Sequence, residues 1–103
     1  MEGVELISFQ IIAAVGTARS LYIEAIQHAK SGNIEEANKL IEKGEEAFLQ
    51  GHHAHVKLIQ QEANGEVSKI SLLLIHAEDQ LMSAESFKII ALELIDVYKK
   101  IKK

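Results

Sequence analysis

His76 and Asp79 are the one compact pairing of a nucleophile-capable base with a carboxylate in this chain, three residues apart in LLLIHAEDQLM (residues 72–82). On a helix, residues three apart lie on the same side, so the two side chains point in similar directions. A neutral imidazole accepts a phosphoryl group well because its ring nitrogen attacks in line without first losing a proton. A neighbouring carboxylate or carbonyl can hold the other ring nitrogen and fix the tautomer. The pair therefore fits a histidine nucleophile, whereas periodicity alone favours the alternative of a solvated surface pair.

Three of the five histidines form a second cluster, at His52, His53 and His55. His52 and His55 are one helical turn apart and close enough to bind a metal ion together, whereas His53 points in another direction. Histidines in the core or at its rim are the alternative, and the one that we favour. The chain has no Glu-x-x-His pair, no cysteine and no glycine-rich phosphate loop. The first absence counts against a di-iron bundle, and the other two exclude a thiol nucleophile and a glycine-rich phosphate loop.

The segment that carries His76 and Asp79 has two apolar stripes, each with steps of three and four residues. The first is the face that a helix buries against its own chain, and it comprises Ile70, Leu74, Ala77, Leu81, Ala84, Phe87, Ala91, Leu94, Tyr98 and Ile101. The second comprises Leu72, Ile75, Asp79, Met82, Ser86 and Ile89. Because a three-helix domain needs only one buried stripe per helix, the second predicts a partner surface.

Asp79 lies in the middle of the second stripe, and His76 lies on its edge. A carboxylate in an apolar seam is costly unless it is paired, protonated or bound to a cation. If the partner is another copy of the chain, several Asp79 side chains could converge on a symmetry axis and share one ion.

Apolar periodicity predicts three long helices, over residues 2–30, 34–63 and from 66 onward. The separating turns are residues 30–33 and 64–65, and Gly32 in the first can end a helix in the left-handed conformation. Short turns between long helices make neighbours antiparallel. The fold class is therefore all-α, an antiparallel up-down-up three-helix bundle, with residues 1–103 as one domain.

Four local expectations accompany these helices. Asn33 is predicted to cap the second helix, with Glu36 completing a capping box. Glu66 is predicted to open the third helix with an acid at its positive end. Gly16 predicts close approach of another helix. Arg19 is expected to form a surface salt bridge, although an acidic group or a phosphate would also suit it.

The composition excludes several classes of protein. The chain has 48% hydrophobic and 25% charged residues, a net charge of −4, one arginine and no proline. That balance is typical of a folded soluble protein and unlike a duplex-binding one. We find neither a basic leader nor a long uncharged apolar run, so a signal peptide and a membrane span are not expected, and the cytoplasm is.

Three separated blocks carry a resemblance to a known family. They are FQIIAAVGTARSLYIEAIQHAKSGN (residues 9–33), KLIQQEANG (residues 57–65) and LLLIHAEDQLMSA (residues 72–84). In order and spacing they resemble the first helix, the end of the second helix and the HAQDHLM signature of the lactose/cellobiose-class enzyme IIA component. That component belongs to the bacterial phosphoenolpyruvate-dependent sugar phosphotransferase system.

The resemblance implies a specific function and assembly. Members of this family are three-helix bundles that assemble as homotrimeric nine-helix bundles. The signature histidine, here His76, receives a phosphoryl group from the phosphocarrier HPr and passes it to a cysteine of a IIB component. The IIB component then phosphorylates the incoming sugar at the membrane component IIC, and that sugar is cellobiose, lactose or a related β-glucoside. The signature aspartate, here Asp79, gathers around a cation on the trimer axis, and Mg²⁺ suits its hard oxygen ligands.

The chain departs from the family pattern at a few positions. Glu78 replaces a glutamine and Gln80 replaces the second histidine of the signature. In the second helix, His55 and Val56 follow His52 where the family often reads H-x-x-Q-T. Glu78 and Gln80 lie well round the helix from His76, so we expect any role of theirs to be across a subunit boundary. A non-catalytic helical adaptor or a histidine-based metal-binding bundle remains the alternative function.

Overall fold

A computed structural model describes residues 3–66 and 69–102 of the chain. They form three α-helices, α1 (Gly3–Lys30), α2 (Ile34–Ala63) and α3 (Leu72–Lys102). The molecule is a rod of 55 × 21 × 20 Å, as expected for helices of about 30 residues that rise 1.5 Å per residue. The predicted all-α, antiparallel three-helix bundle is therefore confirmed. Glu2, where we expected α1 to begin, lies outside the described residues.

The first turn ends α1 through two backbone hydrogen bonds around Gly32, which has a φ of 87°. The Asn33 N–H donates to the His28 carbonyl (2.9 Å) and the Gly32 N–H donates to the Ala29 carbonyl (3.0 Å), the pattern of a Schellman motif. The expected capping box is wrong, because the Asn33 side chain makes no capping hydrogen bond. Asn33 instead contributes its backbone carbonyl, which accepts from the Ala37 N–H at 3.0 Å.

The third helix begins later than the sequence indicated. Gly65 has a φ of 81°, and the Glu66 N–H donates to the Gln61 carbonyl (2.9 Å), so Glu66 completes the end of α2 rather than opening α3. The N-cap of α3 is Ser71, whose Oγ accepts from the Leu74 N–H at 3.1 Å. Our prediction for Glu66 was wrong because we did not recognise this serine cap.

Helix α1 lies between the other two helices and packs along both, whereas α2 and α3 touch each other at few positions. Having two neighbours, α1 buries a wide face, and Val15 and Tyr22 on it are fully buried. By length and composition α1 could also cross a membrane, which our sequence analysis did not anticipate. Its place between two packing partners accounts for that apolar composition.

Two core clusters fill the bundle. The one beneath the start of α3 consists of Ile7, Ile11, Val15, Ala54, Ala77, Leu81 and Ala84. The other, towards the opposite end, consists of Ala18, Tyr22, Ala25, Ala29, Ala37, Leu40, Ile41, Ala91 and Ile95. The first predicted stripe of α3 is thus confirmed in its centre. At its ends, Ile70 lies before the helix and is exposed, and Ile101 is exposed as well.

The close approach between helices occurs at glycines other than Gly16. A Cβ atom on Gly51 would stand 2.7 Å from Val15 Cγ1, and one on Gly44 would overlap the ring of Tyr22. A Cβ atom on Gly16 would have nothing within 4 Å, so our expectation for Gly16 was wrong. Gly44 and Gly51 let α2 approach α1 closely.

Arg19 takes a different partner from the one expected. Its guanidinium carbon lies 5.8 Å from the centroid of the Phe87 ring, a cation–π contact between α1 and α3. Within the described residues Arg19 forms no salt bridge, so the predicted surface ion pair was wrong.

Candidate functional site

The imidazole of His76 is exposed near the start of α3. Its neighbour Ala77 is fully buried and Leu81 is nearly so, and these two residues anchor this part of α3 on the core beneath it. The Ser71 cap sets where the helix begins, and the packing of Ala77 and Leu81 against the core sets its rotation. His76 is therefore directed outward. Packing inside the chain therefore leaves this ring accessible to a partner.

A small apolar pocket adjoins the ring, lined by Leu72, Leu73 and His76. Leu72 is 82% exposed, so the pocket is a surface feature. Within the part of the chain that the structure describes, the His76 ring makes no hydrogen bond, and Asp79 does not hold it. The two side chains share a side of α3, as predicted, without forming a pair.

Asp79 is exposed and stands among apolar side chains that face solvent. Ile75 is 54% exposed, Met82 is 68% exposed and Ile89 is 60% exposed. These residues and Leu72 form the second stripe recognised in the sequence, on the side of α3 turned away from α1. We refer to Leu72, Ile75, Asp79, Met82, Ser86 and Ile89 as the outer face of α3. An apolar surface of this length on a single chain is typical of an interface.

Glu78 points towards α2 and pairs with His55. His55 Nε2 lies 2.7 Å and 2.9 Å from the two carboxylate oxygens of Glu78. A carboxylate only accepts, so the Nε2 atom carries the proton that is donated. The His55 side chain is 16% exposed and that of Glu78 is 44% exposed. We expected Glu78 to act across a subunit boundary, but its partner is in the same chain, because residues 54 and 77 pack into one core cluster.

The remaining candidates do not converge on one site. His52 and His53 are exposed, with ring centroids 6.2 Å apart, and His55 is engaged by Glu78 rather than paired with His52. Gln80 is half-buried. Among residues 3–66 and 69–102, no group of three or more His, Asp or Glu side chains could hold a metal ion within one chain. The histidine-based metal-binding alternative therefore has no group of three or more such ligands among these residues.

A second polar connection joins α2 and α3 near the middle of the bundle. Lys88 Nζ lies 2.6 Å from Glu45 Oε1. The hydroxyl of Tyr22 is buried in the same region and has no hydrogen-bond partner among the described residues. Burial, reinforced by the negative charge of Glu45, raises the pKa of Tyr22 to about 12. Tyr22 is therefore a neutral core residue at physiological pH.

Residues 6–99 match the model of the family described as PTS system, Lactose/Cellobiose specific IIA subunit. The chain belongs to this family. It is thus a IIA component of a sugar phosphotransferase system, as the three sequence blocks indicated. The match spans all three helices, including the exposed His76 and the outer face of α3.

Individual relatives agree with this assignment. This IIA chain is 46% identical over 100 residues to the lichenan-specific phosphotransferase enzyme IIA component of Bacillus subtilis, covering 97% of the chain and 91% of that protein. The crystal structure of the cellobiose-specific enzyme IIA from Bacillus anthracis superposes with a TM-score of 0.96 at 48% identity, over 99% of the chain and 94% of that structure. The solution structure of a IIA(Chitobiose)–HPr complex has a TM-score of 0.87 at 30% identity and full coverage of both chains.

The pairing of His55 with Glu78 is the feature of the site that sequence reasoning missed. Both residues were recognised separately as departures from the family pattern, one in each of two helices. Two departures that are chemically complementary, a base and an acid, are a signal of spatial contact. Residues 55 and 78 lie on either side of the segment that joins α2 to α3, which would have supported that reading.

Proposed function

We propose that this IIA chain is a phosphoryl carrier in which His76 accepts a phosphoryl group from HPr and passes it to a cysteine of a IIB component. The observation that carries the proposal is the exposed His76 imidazole beside an apolar pocket. A donor protein can deliver phosphorus to a ring nitrogen only if that ring is accessible. The HPr complex of a structural relative at 30% identity supports HPr as the donor.

Each transfer exchanges one bond to phosphorus for another. A neutral ring nitrogen of His76 attacks the phosphorus atom in line, and the bond from phosphorus to the donor residue breaks. In the second transfer the IIB thiolate attacks, the bond from phosphorus to His76 breaks, and a phosphorus–sulfur bond forms. The imidazole returns to its neutral state, so the carrier is ready for another cycle.

The proposal includes assembly as a homotrimer through the outer face of α3. Burying this face on two other copies would remove Leu72, Ile75, Met82 and Ile89 from water, at about 25 cal/mol for each Å² buried. A threefold axis along this face would bring three Asp79 carboxylates together. Hard carboxylate oxygens in an otherwise apolar seam fit a divalent cation such as Mg²⁺, which would neutralise their mutual repulsion.

The sugar is a β-linked glucoside or a related saccharide, such as cellobiose or lactose. The names of the relatives span lichenan, cellobiose and chitobiose, which supports a choice of sugar made mainly by the partner components. The carrier is proposed to act in the cytoplasm and to meet the membrane only through IIC. Its net charge of −4 and single arginine do not favour binding to nucleic acid.

The test is phosphorylation in a reconstituted system of phosphoenolpyruvate, enzyme I and HPr. We expect the wild-type protein to take up an acid-labile, base-stable phosphate, and His76→Ala to take up none at unchanged helical content. The matched control is His53→Ala, which removes another exposed histidine and should keep the label. A wild-type protein that takes up no phosphate would instead indicate an adaptor, and a label that survives in His76→Ala would refute the assignment.

A further inference from the structure

The His55–Glu78 pair is a part of the site that phosphoryl transfer, as proposed above, does not use. Both oxygens of the carboxylate lie within 2.9 Å of one ring nitrogen. Hydrogen bonds in which a partner is ionised are shorter and stronger than neutral ones. His55 is also mostly buried, so its ring is held by packing as well as by Glu78. A contact of this kind fixes the positions of both helices.

The His55–Glu78 pair joins α2 and α3, two helices that make few other contacts with each other. Helix α1 packs along both, whereas α2 and α3 meet at few positions. The structure describes two side-chain ion pairs between α2 and α3, His55–Glu78 and Glu45–Lys88. Glu78 and Lys88 are ten residues apart on α3, so the two pairs lie about 15 Å apart along the helix. Of the two, His55–Glu78 is the one next to His76.

Glu78 also carries a negative charge close to the reacting residue. It follows His76 by two residues and lies about 200° round the helix from it, at 100° per residue. Phosphorylated His76 would itself be negative, and an uncompensated carboxylate nearby would oppose it. A change in the rotamer of an unpaired Glu78 would bring the two groups closer, and a rotation of α3 would turn His76 and Asp79 away from their partners.

We propose that His55 is a positioning residue for phosphoryl transfer: by holding both oxygens of Glu78 it fixes the rotation of the first turns of α3 and keeps the Glu78 charge directed away from phosphorylated His76. This inference rests on the proposed function. His55 touches neither HPr nor the phosphoryl group, and it acts only through Glu78.

The test compares four proteins: wild type, His55→Phe, the double variant His55→Gln with Glu78→Gln, and Glu45→Gln. Phenylalanine keeps the ring but leaves Glu78 without a donor. The double variant restores a neutral hydrogen-bonded connection. Glu45→Gln is the matched control, since it removes the charge of the other α2–α3 pair far from His76. The first measurement is the rate of transfer from phosphorylated HPr by rapid quench.

We expect His55→Phe to accept phosphate on the order of tenfold more slowly, the equivalent of one charged hydrogen bond. The double variant should return close to the wild-type rate, and Glu45→Gln should transfer normally. A normal rate in His55→Phe would overturn the inference. If Glu45→Gln accepted phosphate equally slowly, or if the double variant remained slow, the slow transfer would reflect a general loss of stability. Either result would overturn the positioning role of His55.

The second measurement separates this inference from the proposed function. Long-range ¹H–¹⁵N spectra report the ring signals of His76 without any partner protein. These signals should shift in His55→Phe, return in the double variant and stay in place in Glu45→Gln. Unmoved signals in His55→Phe would overturn the positioning role. A wild-type protein that accepts no phosphate, with the signals moving as described, would refute the carrier function alone.

Discussion

At the scale of single residues, charge and burial divide the ionisable groups of the bundle by role. His76 and Asp79 stand in solvent on one chain, available to partners. His55 and Glu78 satisfy each other. Tyr22 is fully buried, and its hydroxyl has no partner among the described residues. A buried, unpaired hydroxyl is tolerated only in its neutral form, which links this residue to the stability of the fold at high pH.

We predict that Tyr22 makes the protein lose stability between pH 10 and about 12. The pKa in the unfolded chain is near 10, and in the folded protein it is raised, so across this window the unfolded state releases a proton that the folded state keeps. Below pH 10 this tyrosine causes no loss of stability. Above the raised pKa the loss reaches on the order of 2 kcal/mol.

Tyr22→Phe tests this prediction because it removes the titrating hydroxyl and keeps the ring. Urea unfolding followed across this pH range should show a smaller loss for the variant than for wild type. At neutral pH the variant should be as stable or slightly more stable, since an unsatisfied hydroxyl is removed. Parallel pH dependence in the two proteins would contradict the account.

At the scale of helices, the contacts of α1 and α2 depend on two glycines that appear in the sequence as helix-weakening residues. Gly44 lies against the Tyr22 ring, and Gly51 lies against Val15. Gly16 is also inside a helix but has open space around it. The three positions therefore have the same local propensity and different tertiary surroundings, which makes them a matched set.

Alanine at Gly44 or Gly51 is expected to destabilise the protein by about 1–3 kcal/mol, because the new methyl group has no room against Tyr22 or Val15. Alanine at Gly16 is expected to stabilise it by about 0.5–1 kcal/mol, since only helix propensity and chain entropy change there. Midpoints of urea unfolding measure both effects. Similar shifts at all three positions would mean that close helix approach is not the reason for Gly44 and Gly51.

Much of the helix arrangement could be predicted from the sequence. The residues at each helix end explain which of these predictions were correct and which were wrong. The ends of α1 and α2 were predicted because Gly32 and Gly65 supply the left-handed conformation that a Schellman motif requires. The start of α3 was not predicted correctly, because Ser71 and Glu66 both suit a helix N-terminus. Only the structure distinguishes between the two. Gly16 and Gly44 look alike in sequence, since close approach depends on the neighbouring helix.

The candidate site was predictable to a similar extent. The motif around His76 and the apolar residues beside Asp79 identified the residues and their common side of α3. The partner of Glu78 was missed, because periodicity describes one helix at a time and His55 lies on another. The outer face of α3 was predicted as a surface for a partner, and the structure leaves it exposed in the single chain.

At the scale of the whole molecule, the outer face of α3 is an apolar surface that the core of the single chain does not use. The outer face of α3 exposes Leu72, Ile75, Met82 and Ile89 around Asp79. In the proposed trimer this face would be internal, and Asp79 would be the one charged group within it. Assembly and cation binding are then linked, because the carboxylates need a cation only when they are brought together.

Asp79→Leu is therefore expected to preserve or strengthen the trimer and to remove any effect of chelators on it. Met82→Asp is the matched opposite change, and it should dissociate the assembly by adding a charge to the same face. Sedimentation with and without a chelator measures both. Monomers from Asp79→Leu would mean that the carboxylate is not a buried axial charge.

The most direct measurement of the central claim is to locate the phosphate within the chain. The wild-type protein would be phosphorylated by HPr and fragmented for mass spectrometry under base-stable conditions. The account predicts that the phosphate is on His76. Phosphate on His28, His52, His53 or His55, with His76 unmodified, would contradict it.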